Sequence, residues 1–159
     1  MNDRSSQRYY FDANALVKYY REESGSLQIK RLVSNNKPIL ISPLTLVECV
    51  NVFMKLKRNK QLKKKKLTTI LKLIDKNVMY TDNHTIRLFK LIAIPEEIFL
   101  LAKRILVQHA HTFAIGSNDA LHLAILQTLN IQAIMVTSDV SMQHVCEDLQ
   151  IQFYDPEKN

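Results

Sequence analysis

Short apolar runs recur along this chain, and each gives way at once to a helical pattern. Tyr9-Tyr10-Phe11, Pro38-Ile39-Leu40-Ile41-Ser42 and Ala133-Ile134-Met135-Val136-Thr137-Ser138 read as strands, because they are continuous, apolar and too short for buried helices. Strands separated by helices need right-handed crossovers, so the sheet they form is mainly parallel. This alternation predicts an α/β fold, and in such a fold ligands bind beyond the C-terminal ends of the strands.

The elements follow in order. Residues 8 to 12 read as a strand, Ala13 to Tyr20 as a short helix, and Ser26 opens a second one carrying Leu27, Ile29, Leu32 and Val33. After the strand at 38 to 42, Pro43 stands in the first turn of a helix that runs to about Lys57, where its missing N–H costs nothing. A partner helix from about Gln61 to Lys76 packs back through Leu62, Leu67, Ile70, Leu71 and Ile74, which makes a helical hairpin around 44–76. Asp82-Asn83 suits a cap for a short helical turn, and Leu88 to Ile94 fits either its continuation or a strand. Pro95-Glu96-Glu97 begins a long helix, and Gly116-Ser117-Asn118-Asp119 caps another from Ala120 to about Leu129. A strand at 132 to 137, a helix at 140 to 149 and a strand at 152 to 154 complete the chain.

Four acids fall at the edge where this pattern predicts ligand binding. Asp12 closes the first strand and Asp139 the strand at 132 to 137; Glu48 lies just inside the helix after the second strand, and Asp119 at a helix start. Each has an ordinary explanation as well. Asp12 and Asp139 suit helix caps, Asn14 shares that ambiguity, and Glu48 falls with Asn51 and Lys55 on a polar stripe opposite Leu46, Val47, Val50, Phe53 and Met54. Asp119 follows two residues already able to cap. His122, one turn on, could reach the same place but reads more readily as a structural histidine, whereas His84, His109, His111 and His144 form no zinc set. Carboxylates without thiolate or imidazole ligands suit a hard cation, Mg²⁺ or Mn²⁺, which activates water and stabilises a leaving oxygen in phosphodiester hydrolysis. With only two glycines, a phosphate-binding glycine loop or a dinucleotide fingerprint is nearly excluded.

Charge points the same way. Lys55, Lys57, Arg58, Lys60, Lys63, Lys64, Lys65 and Lys66 place eight cations in twelve residues; the 14 remaining lysines and arginines are one fewer than the 15 acids. Such a strip suits a polyanion, although it also suits a merely solvated face or an acidic partner peptide. Cys49 and Cys146 lack the spacing of a disulfide framework, and no stretch reaches the ~18 apolar residues that span a bilayer. The 159 residues, 47% apolar, therefore predict one compact domain over 1–159 in a soluble, cytoplasmic protein with reduced thiols.

Four segments together resemble PIN-domain ribonucleases: Tyr10-Phe11-Asp12-Ala13-Asn14-Ala15-Leu16-Val17-Lys18, Ser42-Pro43-Leu44-Thr45-Leu46-Val47-Glu48, Ser117-Asn118-Asp119-Ala120-Leu121-His122-Leu123-Ala124 and Val136-Thr137-Ser138-Asp139. The resemblance covers nearly the whole chain and implies a three-layer α/β/α sandwich that binds Mg²⁺ or Mn²⁺ and cuts single-stranded RNA. It implies Asp12, Glu48, Asp119 and Asp139 as metal-site acids, with Asn14 and Thr137 supporting them. Many small members of this kind are VapC-like toxins, silenced by an antitoxin peptide, and small members usually pair as homodimers. This chain departs from the pattern in Ala13, where the family often has Ser or Thr, and in its lysine-rich hairpin. Two other activities fit the same residues: an inactive PIN fold that binds RNA or serves assembly, and a DNA-directed nuclease.

Overall fold

The computed structural model describes residues 7–36, 38–79, 87–129 and 132–158. Along the chain it forms β1 (Arg8–Phe11), α1 (Ala13–Tyr20), α2 (Ser26–Asn36), β2 (Ile39–Ile41), α3 (Pro43–Arg58), α4 (Lys64–Asn77), β3 (Val78–Met79), β4 (Phe89–Leu91), α5 (Glu97–His109), α6 (Ser117–Thr128), β5 (Ala133–Val136), α7 (Val140–Asp148) and β6 (Phe153–Tyr154). The six strands form one sheet in the order β3-β4-β2-β1-β5-β6, and every neighbouring pair is parallel. From β1 the chain builds outward through β2 and β4, then crosses back to lay β5 on the other side of β1. The loops leaving β1 and β5 therefore run in opposite directions, and a crevice opens between them at the C-terminal edge.

Alternation along the strands divides the core into two. Phe11, Ile39, Ile41 and Val136 point into one apolar cluster with α1, α2, α3 and α4. Tyr10, Leu40 and Met135 point into the other with α5, α6 and α7. This is the three-layer α/β/α sandwich expected.

Several boundaries differ from the sequence reading. Leu88 to Ile94 resolves as β4, and a two-residue edge strand, β3, follows α4 directly. The segment with Asp82-Asn83 and His84 lies outside the described residues. Helix α4 begins at Lys64 rather than near Gln61, because α3 ends in a closed cap: Gln61 N–H bonds to Leu56 O at 2.9 Å and Lys60 N–H to Lys57 O at 3.1 Å. Lys60 takes the left-handed position of that cap (φ 60°), where glycine is usual, while Leu62 turns down into the core. Along α3 the buried line is Thr45, Cys49 and Phe53, not the stripe expected through Val47 and Met54, which are 67% and 45% exposed.

A second set of contacts pins the chain's last described turn to α1. The buried Lys18 ammonium pairs with Glu157 at 2.6 Å and Glu23 at 3.2 Å. Gly25 (φ 81°) passes so close to Pro156 that a Cβ there would lie 3.1 Å from its backbone. Asp155, also buried, accepts from the Gln143 amide and the Glu157 N–H, each at 2.9 Å, and Gln143 donates to Thr137 O at 3.1 Å. Burial pushes the Asp155 carboxyl up, but these donors outweigh it and hold the group below its usual range. A depressed folded value means that its stabilisation is present above the unfolded value, roughly pH 4, and lost as pH falls through the folded one. D155N is therefore expected to lower stability at pH 7 by about 1–3 kcal/mol. Thermal melts from pH 7 to pH 3 should show its deficit against the wild type shrinking; a deficit independent of pH would remove the carboxylate's charge from the account.

Candidate active site

All four acids line a single cleft of about 230 Å³ at the crevice, with Ala13, Asn14, Asn51, Val52, Lys55, Asn118, His122 and Met142. Two come from each helical layer. Asp12 ends β1 and starts α1, and Glu48 stands on α3; Asp119 lies in the first turn of α6, and Asp139 precedes α7. A wider depression, about 740 Å³, lies at the opposite end of the strands near Ala133, lined by glutamines and aliphatic side chains without a titratable group.

For Asp12 and Asp139 the capping role and the cleft position coincide. Asp12 Oδ1 accepts from Ala15 N–H at 2.7 Å, and Asp139 Oδ1 from Met142 N–H at 2.9 Å. In each case the strand end that delivers the acid is also the place where a helix needs its first donors satisfied. Thr137, fully buried at the end of β5, accepts from Asp139 N–H at 3.1 Å and hydrogen-bonds Asp12. Asn14 is exposed at the cleft wall.

Asp119 caps differently from the expectation. Helix α6 starts at Ser117, three residues earlier than read, and Asp119 reaches back from its third position to accept Gly116 N–H at 2.7 Å. That frees Asn118, whose amide crosses to the other layer and donates to Glu48 Oε1 at 2.6 Å. His122 Nε2 lies 2.8 Å from Glu48 Oε2. Glu48 is thus half-buried and held at both oxygens from α6, not solvated on a polar stripe. Sequence reasoning missed Asn118, which looked like a spare cap, and underrated His122; the available signal was a histidine one turn from Asp119 in an otherwise apolar helix. His109 and His144 instead stack against Phe113, outside the cleft.

The electrostatics of the cleft are unbalanced. Burial raises the Asp12 carboxyl, and Asp139 adds to the rise against the Ala15 N–H and Thr137. Burial likewise raises Asp119, helped by the charges of Asp139 and Glu48. Burial opposes ionisation of Glu48 too, but the His122 and Asn118 hydrogen bonds prevail and hold it below its usual range. Among the described residues no lysine or arginine forms an ion pair with any of the four. Clustered carboxylates that repel one another, with no ion pair among the described residues beyond the His122–Glu48 contact, match the donor chemistry of a hard divalent cation. Among the described residues no three ligating side chains stand as a ready-made cage. The acids are open donors around shared space.

Of the eight basic residues of the hairpin, Lys55 lines the acid cleft. Lys63 and Lys66 line a separate groove of about 270 Å³ with Arg21, over Phe53, Leu56, Leu62 and Ile70. Lys60, Lys64 and Lys65 are exposed on the hairpin, and Lys57 and Arg58 are half-buried.

A family model described as PIN domain matches residues 9–148. Among solved structures the chain resembles VapBC2 from Rickettsia felis, bound to a DNA fragment from their promoter, at TM-score 0.64 and 18% identity over 94% of this chain and 98% of that one. It also resembles FitAcB from Neisseria gonorrhoeae (TM-score 0.66, 14% identity, 93% and 97% covered). A third is the sarcin-ricin loop cleaving toxin VapC20 of Mycobacterium tuberculosis (TM-score 0.62, 14% identity, 86% and 93% covered). No curated protein matches by sequence. Among the described residues no helix is long and apolar enough to cross a membrane.

Proposed function

This chain belongs to the PIN domain family, and from that membership we propose that it is a metal-dependent endoribonuclease, the toxin of a VapBC-type toxin-antitoxin pair. The observation that carries the reading is the single cleft lined by Asp12, Glu48, Asp119 and Asp139, with no lysine or arginine among the described residues in an ion pair with them. These four side chains would hold Mg²⁺ or Mn²⁺, which when bound supplies an activated water and stabilisation of the leaving oxygen. The remaining work falls to the protein. Thr137 and the α1 N-terminus hold Asp12 in place, Asn14 offers an amide at the cleft wall, and Lys55 sets a positive charge beside the acids where a backbone phosphate would enter. The lysine hairpin then tracks the rest of the strand, and the whole chain, 1–159, works as one domain in the cytoplasm, as a homodimer. Likeness to VapBC2 supports an antitoxin partner for the toxin role.

The test is direct. Metal-stripped protein is incubated with single-stranded RNA, hairpin RNA and single-stranded DNA of matched sequence, with Mn²⁺, with Mg²⁺ or with excess chelator. RNA cleavage that returns with either ion and stops with chelator is the expected result. Salt-dependent binding without cleavage would identify an inactive RNA-binding fold, and equal cutting of DNA would reassign the substrate.

A further inference from the structure

We propose that His122 is a positioning residue for Glu48, held in that role by a buried hydroxyl chain behind it; this rests on the nuclease reading above. The imidazole is 2% exposed, in a helix that is otherwise apolar around it. Nε2 faces Glu48 Oε2 at 2.8 Å, and Nδ1 lies 2.6 Å from the Tyr10 hydroxyl. Tyr10 in turn lies 3.0 Å from Ser42 Oγ, Ser42 Oγ lies 3.1 Å from Thr45 Oγ1, and Thr45 donates to Phe11 O at 3.0 Å. Tyr10, Ser42 and Thr45 are fully buried.

An ionised carboxylate offers only lone pairs, so Nε2 must carry a proton wherever it bonds Glu48. Nδ1 can be served by Tyr10 in either state, since a hydroxyl both donates and accepts. Burial keeps the Tyr10 phenol protonated by pushing its pKa far above the usual value. The hydroxyl chain therefore aims the ring, and the ring presents one N–H to Glu48 from a set direction. Asn118 fixes the other oxygen from the same helix. Glu48 belongs to the opposite helical layer and has three rotatable bonds, so without these two donors nothing from α6 would hold its carboxylate at the cleft. Each oxygen keeps a second lone pair for a cation. Partners that orient a ligating carboxylate in this way usually matter by about 10–100-fold in metal affinity.

Isothermal titration with Mn²⁺ alone, on the full chain, tests the assignment, with circular dichroism confirming that each variant is folded. His122→Asn removes the donor to Glu48 and is expected to weaken Mn²⁺ binding by about 10–100-fold. His122→Gln places an amide nitrogen where Nε2 stood and should recover most of that loss. Tyr10→Phe fills the same volume, removes only the hydroxyl behind Nδ1, and should cost several-fold. In cleavage assays the loss should fall on kcat, with KM for RNA, set by the basic hairpin, little changed. Equal affinity in the wild type, His122→Asn and Tyr10→Phe overturns the proposal, as does an equal loss in the Asn and Gln variants, which would mark His122 as core packing. A wild type that takes up no Mn²⁺ would instead remove the nuclease reading itself.

Discussion

Asp119→Asn is expected to abolish RNA cleavage while making the metal-free protein more resistant to heat. Losing one carboxylate from the cleft removes charge that a bound cation needs, and a few kcal/mol of lost transition-state stabilisation is on the order of a hundredfold or more in rate. The effect on stability has the opposite sign. Asp119 has a raised carboxyl, and a folded pKa above the unfolded one means a contribution that is full below the unfolded value and lost as pH rises through the folded value. At neutral pH the ionised Asp119 therefore costs the metal-free fold stability. Asn removes that cost and can still accept the Gly116 N–H through its amide oxygen. Mn²⁺ should restore the order: at a hundred times its dissociation constant a ligand stabilises by about 2.7 kcal/mol, a shift of several degrees for the wild type and little for the variant. Asp12→Asn should follow the same pattern, since burial raises that carboxyl too. Melts with and without Mn²⁺, beside cleavage assays, measure both. A variant that still cuts RNA, or one less stable than the wild type without metal, would contradict the account.

Changing Lys63, Lys64, Lys65 and Lys66 together to Gln should cripple RNA binding at physiological salt while leaving the cleft intact. All four are exposed at the start of α4, which carries no side-chain cap and no acid in its first turn. That placement opposes the helix dipole, so the lysines do not serve helix stability, and Gln should be at least as well tolerated there. For a single strand, each phosphate contact contributes about 0.7 to the slope of log affinity against log salt. If all four lysines sit on phosphates, the slope falls by about three units. Fluorescence anisotropy across a salt series reads this directly, and Mn²⁺ affinity should not move. An unchanged slope would leave the strip as a solubility feature.

Most of the architecture was legible because strand-length apolar runs and helix starts alternate without ambiguity over most of the chain. What was not legible has physical causes. The edge strand β3 is two residues long and joins α4 without a loop, so it reads as that helix's tail. The α3 stripe went wrong because its buried line includes Thr45, a polar residue made acceptable in the core by the hydrogen bonds of its hydroxyl to Ser42 Oγ and Phe11 O. Hydrophobicity alone cannot see such a residue, and the error moved Glu48 out to solvent. Asp12 and Asp139 were ambiguous between cap and site, and the ambiguity was real, since each does the first with one oxygen while lining the second. His122 was hidden because its partners, Tyr10 and Glu48, lie 112 and 74 residues away in sequence.

The division of the four acids between two helical layers makes the cleft a seam. The apolar clusters on either side of the sheet share no buried residue, so each layer is held to the sheet independently of what happens at this edge. Prising α3 from α6 by a few ångströms would part Glu48 from Asn118 and His122 and scatter the acids, with both cores still closed. Loss of activity and loss of fold are then separate events, and a partner that wedges this seam could silence the protein without unfolding it.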